Sequence, residues 1–103
     1  MGTVGMDILQ TNSFARKTKK LHRNQKIELD NAIKAIIANP SIGTEKTGDL
    51  KGIYVHKFKM VKQQVLIAYQ YNEKELILLA LGDHENFYRD LKQLTFSPKT
   101  GPK

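Results

Sequence analysis

The spacing of apolar residues changes halfway along this 103-residue chain, and that change limits the folds open to it. Between Asn24 and Pro40, apolar residues recur every three or four positions, which predicts an amphipathic helix: Leu29, Ala32, Ile33, Ile36 and Ile37. Three later segments are rich in β-branched, aromatic and aliphatic residues, which is typical of strands: 53–60, 65–71 and 76–81. Helices that precede a run of strands predict an α+β fold.

A shorter strand and helix are predicted ahead of the amphipathic helix. Residues 7–11 form the strand candidate, and Asn12 or Ser13 can cap a helix whose inner face carries Phe14. Pro40 disfavours helical geometry at the residue before it, so the longer helix should end by then. We expect two N-terminal helices packed as a hairpin on a small antiparallel sheet of about four strands. Segments 65–71 and 76–81 are apolar on both faces, so they should be its central, buried strands.

The two ends of the chain carry no periodic signal. Residues 1–5 are expected to be a disordered N-terminal segment, residues 6–94 the folded domain, and residues 95–103 a flexible basic tail. Neither a run of about 20 apolar residues nor a basic and apolar leader is visible. We therefore expect a single-domain, soluble cytoplasmic protein without a membrane partner.

The composition favours an anionic partner and argues against several kinds of chemistry. The net charge is +7, from 17 basic and 10 acidic residues. This excess suits nucleic acid, a ribosomal surface or an acidic protein, although a coat of solvated lysines would give the same composition. The absence of cysteine excludes disulfides and thiolate nucleophiles. The three histidines are dispersed and no phosphate-binding glycine motif is present, so we expect no metal and no cofactor.

The stretch 82–91, which follows the last predicted strand, combines side chains that could cleave RNA. An imidazole can exchange a proton near neutral pH, a phenol can stack on a base or donate a proton, and a guanidinium can grip a phosphate. The stretch supplies one of each: His84, Tyr88 and Arg89. RNA cleavage without a metal needs a proton acceptor, a proton donor and positive charge at the phosphate. Each of the three residues also has a purely structural explanation: His84 could cap a turn, Tyr88 could complete the core and Arg89 could form an ion pair.

A second set of candidates lies in and before the first strand of the predicted hairpin: Lys51, His56, Lys57 and Lys59. Side chains alternate along a strand, so His56 should face one side and the two strand lysines the other. Either His56 or the lysine pair belongs to a site, but hardly both. The basic residues between 16 and 26 could contact RNA phosphates, dock an acidic partner or simply be solvated.

Four short signatures, in this order, resemble the RelE/ParE superfamily of toxins from type II toxin–antitoxin systems. They are Asn39-Pro40, Gly48-Asp49-Leu50-Lys51-Gly52, Leu66-Ile67-Ala68-Tyr69 and the run from Leu81 to Tyr88. The resemblance covers residues 6–94 and implies a RelE-like fold, in which two N-terminal helices pack on an antiparallel sheet. It also implies an acidic antitoxin that wraps and neutralises the toxin.

The same resemblance implies two possible targets. Many members of the superfamily cut messenger RNA in the ribosomal A site without a metal, whereas others, of the ParE branch, poison DNA gyrase. By position, His84 and Tyr88 match the histidine and terminal aromatic of cleaving members, and His56 matches a strand histidine loosely. Many cleaving members carry an arginine early in the central strand, a region in which this chain has Lys62-Gln63-Gln64-Val65. A phosphate clamp would then come from Lys57, Lys59, Lys62 or Arg89.

These arguments predict a metal-independent, ribosome-associated mRNA endoribonuclease. A gyrase inhibitor without nuclease activity is the first alternative. A degenerate member that only binds its antitoxin is the second.

Overall fold

The computed structural model of the protein describes residues 7–83, which form two helices and one five-stranded sheet. The predictions for the two chain ends and for residues 84–94 lie outside the described residues. In chain order the elements are β1 (Asp7–Gln10), α1 (Asn12–Lys19), α2 (Arg23–Ala38), β2 (Thr44–Glu45), β3 (Tyr54–Met60), β4 (Gln63–Tyr71) and β5 (Glu75–Gly82). Between residues 7 and 83, no helix is both long and apolar enough to cross a bilayer.

Both helices begin earlier than the sequence predicts. The Thr11 hydroxyl accepts a hydrogen bond from the backbone N–H of Phe14 at 3.1 Å, so Thr11, not Asn12 or Ser13, caps α1. The side-chain oxygen of Gln25 accepts from the backbone N–H of His22 at 2.8 Å, and α2 starts at Arg23. The predicted end of α2 before Pro40 is confirmed.

The sheet has the strand order β1-β5-β4-β3-β2 and is mixed, not a four-stranded antiparallel sheet as expected. Strands β2 to β5 pair antiparallel, whereas β1 pairs parallel with β5 at the opposite edge. The chain reaches this edge first and returns to it only after two helices and three strands, so local patterns carry no signal for the pairing. Strand β2 has only two residues, too few for a periodic pattern to predict it.

Apolar side chains cover both faces of the sheet. One face packs against the helices through Phe14, Leu29 and Ile36, which contact sheet residues such as Ile67 and Leu76. The other face carries a smaller buried cluster: Leu50, Ile53, Val55, Leu66, Ala68 and Ala80. Every residue of β4 from Val65 to Tyr69 is buried, which confirms its predicted central place.

The loop after α2 is tied to the middle of β4. The hydroxyl of Tyr69, a fully buried residue, donates to the carbonyl of Pro40 and accepts from the backbone N–H of Gly43 at 3.0 Å. A Cβ on Gly43 would lie only 2.6 Å from that hydroxyl oxygen. A glycine is therefore required for this close approach, which brings β2 alongside β3.

The β3–β4 hairpin turns through two residues in the left-handed region, Val61 (φ 55°) and Lys62 (φ 79°). Two consecutive positive φ values define the turn type whose twist matches that of the strands. Asn-Gly is the usual sequence for this turn, since β-branched residues are strained at positive φ. The tight turn fixes the register of β3 against β4, on which the geometry of the candidate site depends.

Candidate functional site

Lys57 and Lys59 of β3 project from the sheet face that lies away from the helices. Tyr54 and Phe58, at even-numbered positions of β3, pack against the helix-side cluster. Val55, at an odd-numbered position like the two lysines, belongs to the cluster on the other face. Both lysines are exposed. Two positions along an antiparallel strand separate them by about 7 Å. We call this surface the lysine face; it presents two ammonium groups side by side.

The register of the sheet extends the lysine face toward the end of β5. Lys57 pairs with Leu66 of β4, and Leu66 pairs in turn with Gly82 of β5, so the three residues form one row across the sheet. Asp83, which follows Gly82, is the last described residue. Predicted site residues His84, Tyr88 and Arg89 lie outside the described residues.

The neighbour of Lys59 across the sheet is Gln64. In the sequence, Gln64 stood out only as part of the segment in which an arginine is missing. Gln64 is exposed and belongs to the same face as the two lysines. Its amide can donate hydrogen bonds to a phosphate oxygen but carries no charge. Only the strand register shows that Gln64 and Lys59 are adjacent.

His56 occupies the opposite face, as strand alternation predicted. Its ring stacks on Phe58 with centroids 6.2 Å apart and an interplanar angle of 8°. Burial lowers the pKa of His56, which favours the neutral imidazole at physiological pH. His56 and the lysine pair cannot bind the same phosphate, because the sheet separates them. A catalytic role for His56 remains a prediction.

The two remaining predicted lysines lie in turns. Lys51 follows a single 3-10 turn (Gly48–Leu50) and is exposed, while its neighbours Leu50 and Ile53 are buried in the cluster beneath the lysine face. Lys62 occupies the second position of the β3–β4 turn and is exposed. Lys62 therefore lies at the tip of the hairpin that carries Lys57 and Lys59.

A group of tyrosines on the helix-side face is structural. The rings of Tyr54 and Tyr71 lie 5.0 Å apart, and Tyr54 stacks on Tyr69 at 5.7 Å. A hydrogen bond with Tyr71, together with burial and the nearby carboxylate of Glu45, raises the pKa of Tyr54 to about 12. A phenol with that pKa keeps its proton at neutral pH, so Tyr54 is unsuited to act as a base.

No group of three histidine or acidic side chains within residues 7–83 is arranged to hold a metal ion. The charged groups of Lys57 and Lys59 are ammonium ions, which attract anions and repel cations.

An apolar groove of about 510 Å³ runs between the helices and the β1 edge of the sheet. Its apolar lining includes Ile8, Phe14, Leu29, Ile33 and Leu78, and the charged residues Lys19, Lys26 and Asp30 also border it. Ile8 is 43% exposed, which is high for an isoleucine beside a core. The groove is separate from the lysine face, since it lies on the helix side of the sheet.

Comparison with known proteins gives the family. A family model described as the ParE-like toxin of type II bacterial toxin-antitoxin systems matches residues 8–92. Because this match spans most of the chain, the protein belongs to the ParE-like toxins, within the RelE/ParE superfamily. No curated protein sequence matches it.

Solved structures share the fold at low sequence identity. A chain of the intact Escherichia coli RelBE toxin–antitoxin complex is 18% identical with a TM-score of 0.62, and the match covers 78% of this protein and 98% of that chain. A chain of the Mycobacterium tuberculosis RelBE2 complex is 14% identical with a TM-score of 0.65, over 79% and 100%. The YoeB/ParE toxin of Agrobacterium tumefaciens is 14% identical with a TM-score of 0.62, over 77% and 99%. At these identities the likeness supports the RelE-like fold alone.

Proposed function

We propose that this toxin is a metal-independent endoribonuclease that acts in the cytoplasm on messenger RNA bound to the ribosome. The observation that carries the proposal is the lysine face. Lys57 lies in one row with Leu66 and with Gly82, the last residue of β5, and Lys59 lies two positions farther along β3. Both lysines are exposed, and His84 follows Gly82 by two residues in the sequence. A phosphate held beside the lysines would be close to positive charge, and we propose that His84 supplies the imidazole.

The chemistry of such a site needs no metal. Attack of the 2′-hydroxyl on the adjacent phosphate requires a proton acceptor, and the departing 5′-oxygen requires a proton donor. Lys57 and Lys59 would neutralise the charge that develops on the phosphate oxygens, with Gln64 donating a further hydrogen bond. His84 would exchange the proton and Tyr88 would stack on a base or supply a proton. Arg89 would add phosphate contacts, as would Lys51 and Lys62, which lie in the turns before and after β3.

A gyrase inhibitor is the second candidate, for a specific reason. The segment Lys62-Gln63-Gln64-Val65 at the start of β4 has no arginine, whereas many cleaving members of the superfamily carry one in this region. The family match is also to ParE-like toxins. A toxin of this type would use the lysine face, or another basic surface, only for binding.

Primer extension on mRNA under translation by purified ribosomes tests the proposal. We expect cleavage by the wild type, and a loss of at least about a hundredfold in rate for the Lys57→Ala/Lys59→Ala variant, the scale for removal of preorganised charge stabilisation. The matched control Lys34→Ala/Lys74→Ala removes the same charge from exposed positions elsewhere and should cleave normally. His84→Ala tests the imidazole separately.

The same preparations should be assayed for inhibition of gyrase supercoiling. Gyrase inhibition without mRNA cleavage would replace the nuclease by the second candidate. If neither activity is found and expression alone does not arrest growth, the chain would be a member that only binds its antitoxin.

We further propose that the partner is an acidic antitoxin, and that an amphipathic segment of it occupies the apolar groove. The groove offers Ile8 and Ile33 to an apolar surface and Lys19 and Lys26 to acidic side chains beside it. A toxin with net charge +7 also attracts an acidic partner over longer distances.

A further inference from the structure

One edge of the sheet is open along the whole of β1. In the part of the chain that the structure describes, β1 pairs only with β5, so its outer side faces no other strand. The backbone N–H groups of Asp7 and Thr11 donate toward the β5 side, at 2.9 and 3.0 Å. Because backbone groups alternate in direction along a strand, those of Ile8 and Gln10 point outward. An edge with such groups is a template for pairing with another strand.

The two edges of the sheet differ in their protection against such pairing. At the opposite edge, β2 is only two residues long, and the part of β3 that extends beyond it carries Lys57 and Lys59. Short edge strands and lysines discourage pairing with another chain. Strand β1 has no lysine, and its two central residues are Ile8, which is 43% exposed, and Leu9, which is 44% exposed. Exposed aliphatic side chains on an open edge indicate that another chain covers it.

The charge at this edge favours a second copy of the chain over an acidic partner. Three acidic residues and one lysine line a hollow at the start of β1: Asp7, Glu73, Glu75 and Lys74. An acidic strand laid along β1 would be repelled at this end. The rest of β1, from Ile8 to Gln10, is uncharged, so a second β1 can lie opposite it without repulsion. Repulsion between two chains of net charge +7 is screened beyond about 8 Å at physiological ionic strength, so local contacts decide.

A two-fold axis at Leu9 gives two copies of β1 a favourable register. Two identical strands related by such an axis run antiparallel. With Leu9 opposite its counterpart, Ile8 lies opposite Gln10, and their outward N–H and C=O groups form about four hydrogen bonds. Asp7 then lies opposite Thr11, and the two Asp7 residues are about 14 Å apart. An axis at Ile8 would satisfy only that residue's outward groups and would place each Asp7 against the apolar Leu9.

We propose that this chain forms a dimer through β1, with the two strands antiparallel about an axis at Leu9 and the two sheets joined into one. Each Leu9 is then covered by its counterpart, and each Ile8 by the aliphatic part of Gln10. Pairing of two four-residue strands makes a small interface, so association is reversible, with a dissociation constant of roughly micromolar order. The dimer does not depend on the proposed function.

Sedimentation equilibrium of the toxin alone tests the dimer, at concentrations from about 1 to about 100 μM. The antitoxin is left out because Ile8 also lines the apolar groove. Leu9→Lys places two ammonium groups opposite each other across the axis and should weaken association at least about tenfold. Ile27→Lys makes the same change at an exposed position of α2 and should associate within about twofold of the wild type.

Single cysteines test the register, because the chain contains none of its own. In the proposed register the two Leu9 Cα atoms are about 4.5 Å apart, which a disulfide can span. The two Ile8 Cα atoms are about 8 Å apart, which is too far. On mild oxidation, Leu9→Cys should therefore form a covalent dimer at least about tenfold faster than Ile8→Cys. Ile27→Cys measures the rate that random collision gives.

Three results would overturn the proposal. One is a wild type that stays monomeric up to about 100 μM, which would mean that another segment or partner covers the open edge. Another is undiminished association of Leu9→Lys when thermal unfolding shows that the variant is folded. The third is crosslinking of Ile8→Cys or Ile27→Cys as fast as that of Leu9→Cys, which would exclude an axis at Leu9.

Discussion

His56 points to one face of the sheet, whereas Lys57 and Lys59, within the next three positions of β3, point to the other. His56 stacks on Phe58 beneath the helices, whereas Lys57 and Lys59 project away from them. This division follows from the pleat of a strand and could be predicted from the sequence. The partner of Lys59 across the sheet could not, since Gln64 becomes its neighbour only through the register of the hairpin.

The burial of His56 gives stability a dependence on pH. Burial lowers the pKa of the folded state, so below about pH 6.5 the unfolded chain takes up a proton that the folded protein resists. Stability should therefore fall as pH decreases through that value, and this contribution should level off once the pH is below the folded pKa. In His56→Gln, the thermal midpoint should fall less between about pH 7.5 and about pH 5 than in the wild type.

Lys57→Gln is the control for this measurement, because it changes the adjacent position on the other face and retains His56. Its pH dependence should parallel that of the wild type. If the thermal midpoint changed equally with pH in the wild type and in His56→Gln, His56 would be as easily protonated in the folded state as in the unfolded chain.

At the scale of elements, the patterns that span several residues were predictable and the pairings between distant residues were not. The stripe from Leu29 to Ile36 and the apolar runs of β4 and β5 gave their elements within a few residues. The parallel pairing of β1 with β5 was missed because it joins residues nearly 70 positions apart, such as Asp7 with Glu75. A two-residue strand such as β2 has no pattern at all.

The β3–β4 turn illustrates a further limit. Its sequence, Val61-Lys62, lacks the Asn-Gly signature of a turn with two positive φ values. The surrounding strands impose a backbone that valine adopts poorly, so the turn stores strain.

Val61→Asn should relieve that strain, since asparagine tolerates the left-handed region better than a β-branched residue. Val61 is 43% exposed, so little packing is lost. We expect the free energy of unfolding in urea to rise by about 1 kcal/mol with an unchanged m-value. Ile27→Asn, at an exposed position within α2, should instead lower it slightly, because asparagine is a poor helix former. A Val61→Asn variant no more stable than the wild type would mean that the turn is not strained.

At the scale of the whole molecule, two surfaces with different chemistry occupy opposite sides of one small sheet and helix pair. The lysine face lies on one side, and the apolar groove lies on the other. An antitoxin in the groove would contact Lys19 and Lys26 without covering the lysine face directly. Neutralisation would then depend on how far the rest of the antitoxin extends around the sheet edge, or on its charge.

The groove makes a direct prediction about antitoxin affinity. Ile8 lines the groove and is 43% exposed, whereas Ile27 is 55% exposed on α2 and does not line it. Ile8→Glu should weaken binding of the proposed acidic antitoxin by at least about tenfold, because it places an unpaired carboxylate in an apolar contact beside an acidic partner. Ile27→Glu makes the same chemical change and should bind within about twofold of the wild type. Calorimetry on the purified proteins measures both, with thermal unfolding of the free toxins to establish that each variant is folded. Equal weakening by the two variants would point to charge repulsion alone, and an unaffected Ile8→Glu variant would place the antitoxin on another surface, the lysine face being the next to test.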